Sequence, residues 1–412
     1  MVEGVQLGNT ASPSASLCLR EGKLGTKLRH RAFSAVFCLF VSVSGIFAQT
    51  GEYSHFRKQA ATIAASLDDS SLAAQVLLAS IDGRASLAPE MRSLLERIPA
   101  GGILLFRHNL NTPTEEVKKL LSEAAGLVTA KAGIPPLMAV DHEGGLVHRF
   151  GSGVEKLPSA FSFWELALRE GRPAALARAE TLYGRSAREI RDLGITMVLG
   201  PVVEILNEEN RHFLLTRSYG PDPDFVRDAA SVFIRSFDTA GIASTLKHFP
   251  GNTAADPHFN VSTMGGNKAA LDEMVKPFAE LIRSLSPSAV MLSHAVVPVL
   301  GNRNASLSRP VIEGWLRGEL GFEGIALADD YSMAAVAASG LSPSDAAVEA
   351  LNSGIDMVMT WPRNMSAFHA AILEALRSGR LSRSRLREAA ERIIVEKIRY
   401  GIILSENFSG GN

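Results

Sequence analysis

The sequence predicts a (β/α)8 barrel, and three observations favour this fold. Eight short apolar runs recur along the chain, helix-like stretches separate most of them, and polar residues collect where the runs end. Strand–helix alternation builds right-handed βαβ units around a parallel sheet, and eight such units close into a barrel. An open doubly wound sheet is the alternative. No Gly-x-Gly-x-x-Gly or Walker loop follows a predicted strand, so the nucleotide-binding version of that alternative lacks support.

The predicted strands are uniformly apolar, as expected for strands that are buried on both faces. Each is four to eight residues long, which is typical of barrel strands. In chain order they are Gln75–Ile81, Gly102–Phe106, Leu137–Asp141, Ile195–Pro201, Ala243–His248, Ala289–His294, Ile325–Asp329 and Asp356–Thr360.

Longer stretches of helical periodicity lie between these runs. They predict helices over Thr114–Lys131, Ala174–Leu193, Phe225–Ala240, Lys268–Ser284 and Asp345–Ser353. A final helix over Ser382–Arg399 mixes basic and apolar positions, and we expect it to pack on the barrel. No low-complexity linker marks a second domain, so we expect one domain, the barrel, over residues 51–405.

Residues 1–48 are typical of a secretory leader. Basic side chains cluster from Lys23 to Arg31, and the nearly uncharged, mostly apolar segment Ala32–Ala48 follows them. That segment is shorter than the roughly 20 residues of a membrane span. Cleavage after Ala48 predicts a periplasmic or extracellular protein, and an uncleaved leader would instead anchor it to the membrane.

The composition excludes several classes of site. Both cysteines, Cys18 and Cys38, lie in the predicted leader, so the mature chain has no disulfide, thiol nucleophile or cysteine-ligated zinc. A formal net charge of −1 does not favour nucleic acid as a partner. No His-Glu-x-x-His or other tight metal-ligand spacing occurs. We therefore expect neither a metal nor a cofactor.

Polar residues follow several predicted strands. Asp141 ends the third run, Arg217 lies beyond the fourth, Lys247 and His248 end the fifth, and Asp329-Asp330 end the seventh. Because the carboxyl ends of barrel strands meet on one rim, these side chains predict a polar pocket. A purely structural interpretation would require each charge to have its own local partner. Adjacent strand residues point to opposite sides, so we expect one aspartate of the pair to face the pocket and the other to cap the following helix.

A loop after the fifth strand carries an aspartate and a histidine two positions apart. It runs from Lys247-His248-Phe249-Pro250-Gly251 to Asp256-Pro257-His258. A carboxylate beside an imidazole suits proton transfer near neutral pH. A surface loop with a chance Asp and His is the competing interpretation. A carboxylate nucleophile together with a proton donor is the minimum for retaining glycoside hydrolysis.

From about Ala73 to Ile402 the chain resembles glycoside hydrolase family 3, in particular its bacterial β-N-acetylglucosaminidases. The resemblance rests on ordered motifs: Gly101–Phe106, Val140–Gly145, Arg217–Gly220, Lys247–Gly251, Asp256–His258, Ala305–Ser308 and Asp329–Met333. It implies a (β/α)8 barrel and a retaining mechanism. It also implies that Asp329 is the nucleophile and His258 the acid/base, with Asp256 as the partner of His258. The matching positions Asp141, Arg217, Lys247 and His248 would bind the N-acetylglucosamine unit.

Three departures from the family pattern bear on function. Asn252-Thr253 follows Gly251 and the loop to Asp256 is about two residues shorter than usual, Leu146 replaces a frequent arginine, and the leader points to export. We expect a monomeric, exported, retaining exo-β-N-acetylhexosaminidase that acts through a glycosyl-aspartate on peptidoglycan fragments or chitooligosaccharides. The expected partner is thus a carbohydrate containing N-acetylglucosamine, with no nucleic acid and no membrane contact beyond an uncleaved leader. The alternatives are a β-N-acetylglucosaminide phosphorylase, another family 3 β-glycosidase, or a non-catalytic sugar-binding protein.

Overall fold

Eight parallel strands close on themselves in the computed structural model, which describes residues 54–257 and 259–403. The order around the closed barrel is β1-β10-β9-β6-β5-β4-β3-β2, which confirms the predicted fold class. β7 and β8 form a separate antiparallel hairpin that the sequence did not predict. The strands are β1 (Leu77–Ser80), β2 (Gly102–Leu105), β3 (Leu137–Asp141), β4 (Met197–Leu199), β5 (Ala243–Phe249), β6 (Ala289–Leu292), β7 (Val296–Val297), β8 (Gly301–Asn304), β9 (Ile325–Ala328) and β10 (Met357–Thr360).

Helices cover the outside of the barrel between its strands. Short 3-10 turns occupy Pro298–Leu300 and Ala305–Leu307, and a π-helix spans Pro310–Glu319. The described α-helices are α1 (54–66), α2 (Asp69–Gln75), α3 (Pro89–Arg97), α4 (Arg107–Leu110), α5 (Thr114–Ala132), α6 (Ala160–Glu170), α7 (Arg172–Asp192), α8 (Arg211–Leu214), α9 (Pro223–Thr239), α10 (Lys268–Met274), α11 (Lys276–Leu285), α12 (Ala334–Ala337), α13 (Pro343–Ser353), α14 (Pro362–Arg377) and α15 (Arg383–Arg399). None of the described helices is long and apolar enough to cross a membrane.

The predicted helix over Lys268–Ser284 is in fact two helices. α10 ends at Met274 and α11 begins at Lys276, with Pro277 in its first turn. Proline has no N–H to give to the preceding turn, so it favours the start of a helix and disrupts its interior. The break is therefore a local consequence of one residue within an otherwise helical pattern.

Side chains of the barrel strands are buried on both faces. Residues of β1, β2, β6 and β9 are all buried, and the helices supply the outer apolar layer. Between α7 and α9 this layer is aromatic, with the stacked rings of Phe233 and Phe237 4.3 Å apart. Burial on both faces explains why the strands are uniformly apolar rather than alternating.

Charged and polar groups also stabilise the opposite, N-terminal end of the barrel. Asp356, just before β10, accepts hydrogen bonds from Arg317, Arg385 and Arg392. Just before β1, the amide oxygen of Gln75 accepts a hydrogen bond of 2.8 Å from Nζ of Lys397, a fully buried residue of α15. In barrels of this class the N-terminal end serves stability, and the C-terminal end carries the chemistry.

Candidate active site

A cavity of about 230 Å3 lies where the barrel strands end. Seven of the eight barrel strands, all but β1, contribute to its lining through their last residues or the loops that follow. The lining residues are Phe106, Asp141, Glu143, Val147, Arg149, Phe213, Arg217, Lys247, His248, Asn252, Pro257, Met291, Ser293, His294, Asp329, Asp330, Met333, Met359 and Trp361. Five of the seven predicted site residues therefore face one cavity: Asp141, Arg217, Lys247, His248 and Asp329.

A network of ion pairs connects five of the lining residues, and Arg149 joins it through Asp141 at 3.0 Å. Nζ of Lys247, which is only 2% exposed, lies 3.0 Å from Oδ1 of Asp141 and 2.6 Å from Oε1 of Glu143. The guanidinium of Arg217 binds both oxygens of Glu143, at 2.8 and 2.9 Å. The buried Lys247 and the partly buried Arg217 thus hold the carboxylates of Asp141 and Glu143 in a well-defined geometry.

The same network keeps these groups ionised. Burial alone would raise the pKa of the Glu143 carboxyl, but Lys247 and Arg217 hold that pKa far below its usual range. Burial likewise opposes the charge on Asp141, whose pKa is nevertheless lowered, chiefly by Lys247. For Lys247, burial would lower the pKa, and the two carboxylates raise it instead. The cavity therefore presents fixed charges at neutral pH, which can form charge-assisted hydrogen bonds with a polar ligand.

Glu204 is a buried carboxylate behind the lining residue His248. Its Oε1 lies 2.7 Å from Nδ1 of His248, and its Oε2 accepts the backbone N–H of Asn252 at 2.7 Å. The side-chain amide of Asn252 donates to the same carboxylate at 3.1 Å. Glu204 was not among the predicted site residues. Its position near the end of the fourth run was the only sequence signal, because the sequence does not show which side chain it would meet.

The two adjacent aspartates after β9 both line the cavity. The backbone N–H of Asp330 donates to Oδ1 of Asp329 at 2.9 Å, which orients the Asp329 carboxylate. Asp330 accepts from the backbone and hydroxyl of Ser332 at 2.8 and 2.6 Å and from Nε1 of Trp361 at 2.6 Å. The prediction that one aspartate caps the next helix is wrong. α12 begins after Met333 without a side-chain cap, and strand alternation no longer applies because β9 ends at Ala328.

His294, after β6, supports the backbone of this aspartate pair. Its Nε2 lies 3.1 Å from the carbonyl oxygen of Asp330, so Nε2 carries the proton, and its Nδ1 lies 2.7 Å from the hydroxyl of Ser306. Burial lowers the pKa of His294 even though the nearby Asp329 favours its charged form. A neutral imidazole in this tautomer is a hydrogen-bond donor that fixes the loop.

Two hydrogen bonds hold the loop expected to carry the proton donor: one joins its two sides, and the other joins it to α12. The backbone N–H of Thr253 donates to the hydroxyl of Ser262, and the carbonyl of Pro257 accepts from the backbone of Ala335 at 3.1 Å. Pro257 lines the cavity, whereas the half-buried Asp256 is not among the lining residues. His258 lies outside the described residues, so its role as acid/base stays a prediction.

An aromatic pair forms another wall of the cavity. The rings of Phe106 and Trp361 stack with centroids 4.7 Å apart, and both line the cavity. Since Trp361 also donates to Asp330, this wall is connected to the loop that carries Asp329. Both residues directly follow strands, but neither was predicted to line the site, because the prediction rested on charged and polar side chains.

His142 lies between two lining residues but is itself fully buried. Its Nε2 is 2.7 Å from the hydroxyl of Ser186, and burial lowers its pKa to about 3. Within residues 54–257 and 259–403, no group of three or more His, Cys, Asp or Glu side chains is arranged to hold a metal ion.

Comparisons with known proteins agree with this geometry. The model of the "Glycosyl hydrolase family 3 N terminal domain" matches residues 72–395. The chain is 32% identical to a beta-hexosaminidase from Tolumonas auensis, over 72% of this chain and 86% of that protein. It is 26% identical to beta-hexosaminidase A from Pseudoalteromonas piscicida, over 75% of this chain and only 55% of that protein.

The solved structures give the same result. A glycoside hydrolase family 3 beta-N-acetylglucosaminidase from Paenibacillus sp. superimposes with a TM-score of 0.75 at 30% identity, covering 82% of this chain and 63% of that one. The chain thus spans less than two thirds of the length of some of the relatives it matches.

Proposed function

The chain belongs to glycoside hydrolase family 3, and from this premise we propose that it is a retaining exo-β-N-acetylhexosaminidase. The observation that carries the proposal is that Asp329 and the ion-paired Asp141, Arg217 and Lys247 line one small cavity at the strand ends. Its volume of about 230 Å3 lies below the roughly 300–1,000 Å3 of pockets that enclose drug-sized ligands. A cavity of this size suits one terminal sugar, as exo-acting hydrolysis requires.

The proposed reaction has two steps. In the first, the Asp329 carboxylate bonds to the anomeric carbon, the glycosidic C–O bond breaks, and His258 gives a proton to the departing oxygen. In the second, His258 takes a proton from water, whose oxygen displaces Asp329 and releases the sugar. Asp256 would stabilise the imidazolium that His258 forms between proton transfers. Lys247, Arg217, Asp141 and His248 would hold the sugar hydroxyls and acetamido group by charge-assisted hydrogen bonds.

We further propose that the substrates are peptidoglycan fragments or chitooligosaccharides and that the enzyme acts outside the cytoplasm as a monomer. The relatives named beta-hexosaminidase support the sugar, and the leader-like residues 1–48 support the location. Those residues lie outside the part of the chain that the structure describes.

A comparison of three assays tests the function. We expect the purified chain to hydrolyse aryl β-N-acetylglucosaminides far faster than the matching β-glucosides, and at a rate that added phosphate does not change. The lining cations Arg149, Arg217 and Lys247 all form ion pairs with carboxylates, which disfavours binding of a phosphate nucleophile. Phosphate-dependent turnover, or equal turnover of glucosides, would replace the proposal by the phosphorylase or the β-glucosidase.

The acid/base role of His258 has its own test. His258→Ala should slow substrates with poor leaving groups by about 10²–10⁴-fold, the usual value of general acid catalysis, and activated aryl substrates much less. Asp256→Asn should act in the same direction because it removes the charge that supports the protonated ring. Equal slowing of both substrate types would assign His258 a binding or structural role.

A further inference from the structure

Large apolar side chains are exposed around one end of the barrel. In the described part of the chain six such side chains are prominently exposed: Leu146, Leu168, Leu215, Phe259, Val261 and Val299. All but Leu168, which lies on α6, belong to loops that follow β3, β4, β5 and β6. Single exposed leucines are ordinary, but a concentration at the mouth of a cavity is typical of a binding surface.

Three of these side chains flank residues that line the cavity. Leu146 precedes Val147, Leu215 lies between Phe213 and Arg217, and Phe259 is two positions after Pro257. Two residues of chain span at most about 8 Å. We call Leu146, Leu215 and Phe259 the apolar rim. They are 63%, 53% and 76% exposed, respectively.

The backbone of Leu215 is held in an unusual conformation. Its φ is +51°, a region that large non-glycine residues rarely occupy. Backbone hydrogen bonds of 2.9 Å from Leu215 to Arg211 and from Arg217 to Leu214 fix the turn on both sides. Such strain persists where the surrounding structure maintains it, and it clusters at ligand sites. In this protein the residue with the strained backbone is a leucine whose side chain is exposed beside the cavity.

The size of the cavity indicates what the rim would bind. If one sugar fills the cavity of about 230 Å3, the group on the other side of the glycosidic bond must lie outside it, next to the rim. We propose that Leu146, Leu215 and Phe259 bind the leaving group of the substrate and favour an uncharged group with an apolar face over an anionic one. This inference rests on the proposed hydrolase function. Of the two substrate classes proposed above, it favours chitooligosaccharides, whose leaving groups are uncharged, over peptidoglycan fragments, whose leaving groups carry carboxylates.

The charges near the mouth support this selectivity. A carboxylate on the leaving group would lose water against three apolar side chains, and burying an unpaired charge is costly. The lining cations already have partners, since Arg149 binds Asp141 at 3.0 Å, Arg217 binds Glu143 at 2.8 Å and Lys247 binds both carboxylates. An aryl ring or the C–H face of a sugar has few hydrogen bonds to water, so little hydration free energy is lost when it contacts the same surface.

The test uses three aryl β-N-acetylglucosaminides whose phenols have matched acidity. One phenol is a bicyclic apolar ring, one is a single ring, and one is a single ring that carries a carboxylate. We expect the wild-type kcat/KM to fall in that order. Leu146→Ser and Phe259→Ser should each lower kcat/KM for the bicyclic substrate by about five- to tenfold and for the single-ring substrate by less than twofold. Leu146→Lys should raise kcat/KM for the carboxylated substrate.

Leu168→Ser is the matched control, because Leu168 is 68% exposed on α6 and is not a lining residue. It should leave all three values unchanged. Equal losses on the three substrates, or a wild type that prefers the carboxylated phenol, would overturn the rim proposal while leaving the hydrolase proposal intact. A wild type that hydrolyses none of the three would instead refute the hydrolase function.

Discussion

Among single residues, Asp329 is the most direct test of the mechanism. We expect Asp329→Ala to fold and to lose several orders of magnitude in kcat, because the covalent route through the carboxylate is removed. A fluorinated sugar that traps the glycosyl-enzyme should label Asp329, as peptide mass analysis would show. Asp330→Asn is the control, and it should still be labelled at Asp329. Labelling of Asp330 or Glu143 in the wild type would contradict the assignment.

Glu204 is a positioning residue that the structure adds to the predicted site. Its carboxylate accepts from Nδ1 of His248 and from the backbone and side chain of Asn252. In Glu204→Gln, one carboxylate oxygen is replaced by an amide NH2 group, which is a donor and would face the donors of His248 and Asn252. A hydrogen bond to a charged group contributes about 1.5–3 kcal/mol. We therefore expect kcat/KM to fall by about 10–100-fold.

A pH–rate profile separates this positioning role from mere stability. If Glu204 orients His248, Glu204→Gln should shift the profile of kcat/KM, and Glu204→Asp should recover part of the activity. A lower melting temperature with unchanged kinetics would show that Glu204 only stabilises the loop.

At the scale of one element, α15 carries a buried lysine with consequences for pH. Burial lowers the pKa of Lys397 to about 7 from an ordinary 10.5. Between these two values the unfolded chain binds more protons than the folded one, so stability rises with pH. Below about pH 7 Lys397 is protonated in both the folded and the unfolded chain, and the buried charge then lowers the free energy of unfolding by its full amount.

Lys397→Met should therefore stabilise the protein at neutral pH and remove this slope. The difference in unfolding free energy between variant and wild type should shrink toward pH 10 by up to about 1.4 kcal/mol per pH unit. Denaturant unfolding at several pH values measures it, with the exposed Lys119→Met of α5 as the control. A difference that does not depend on pH would show that the pKa of Lys397 is the same in the folded and the unfolded chain, so that burial does not lower it.

For the whole molecule, the untested prediction concerns residues 1–48, which lie outside the described part of the chain. We expect protein exported by the native host to begin near Gln49, because the basic cluster and the apolar segment Ala32–Ala48 form a cleavable leader. Intact-mass analysis measures this start. Soluble cytoplasmic protein that retains the full leader would reject export.

The fold was predictable because burial imposes a pattern along the chain. Seven of the eight apolar runs contain the whole of their barrel strand, and β5 extends one residue beyond its run. The strand ends correctly located the charged lining residues. Pairings between loops have no such pattern. Glu204 with Asn252, Phe106 with Trp361, and the supporting His294 depend on side chains that meet only after the barrel closes. The split at Pro277 was visible in the sequence and was missed because the helical period continues across it.

The pairing of β1 with β10 also has a consequence for how the protein is made. Leu77 of β1 lies opposite Val358 of β10. β1 is the first barrel strand to be synthesised and β10 the last, so one edge of β1 stays unpaired until β10 has left the ribosome. Until then the nascent chain presents an unpaired apolar strand, which is a template for aggregation. A chain released before Met357 leaves one edge of β1 and one edge of β9 open. Interrupted translation should therefore yield insoluble fragments rather than a smaller working barrel.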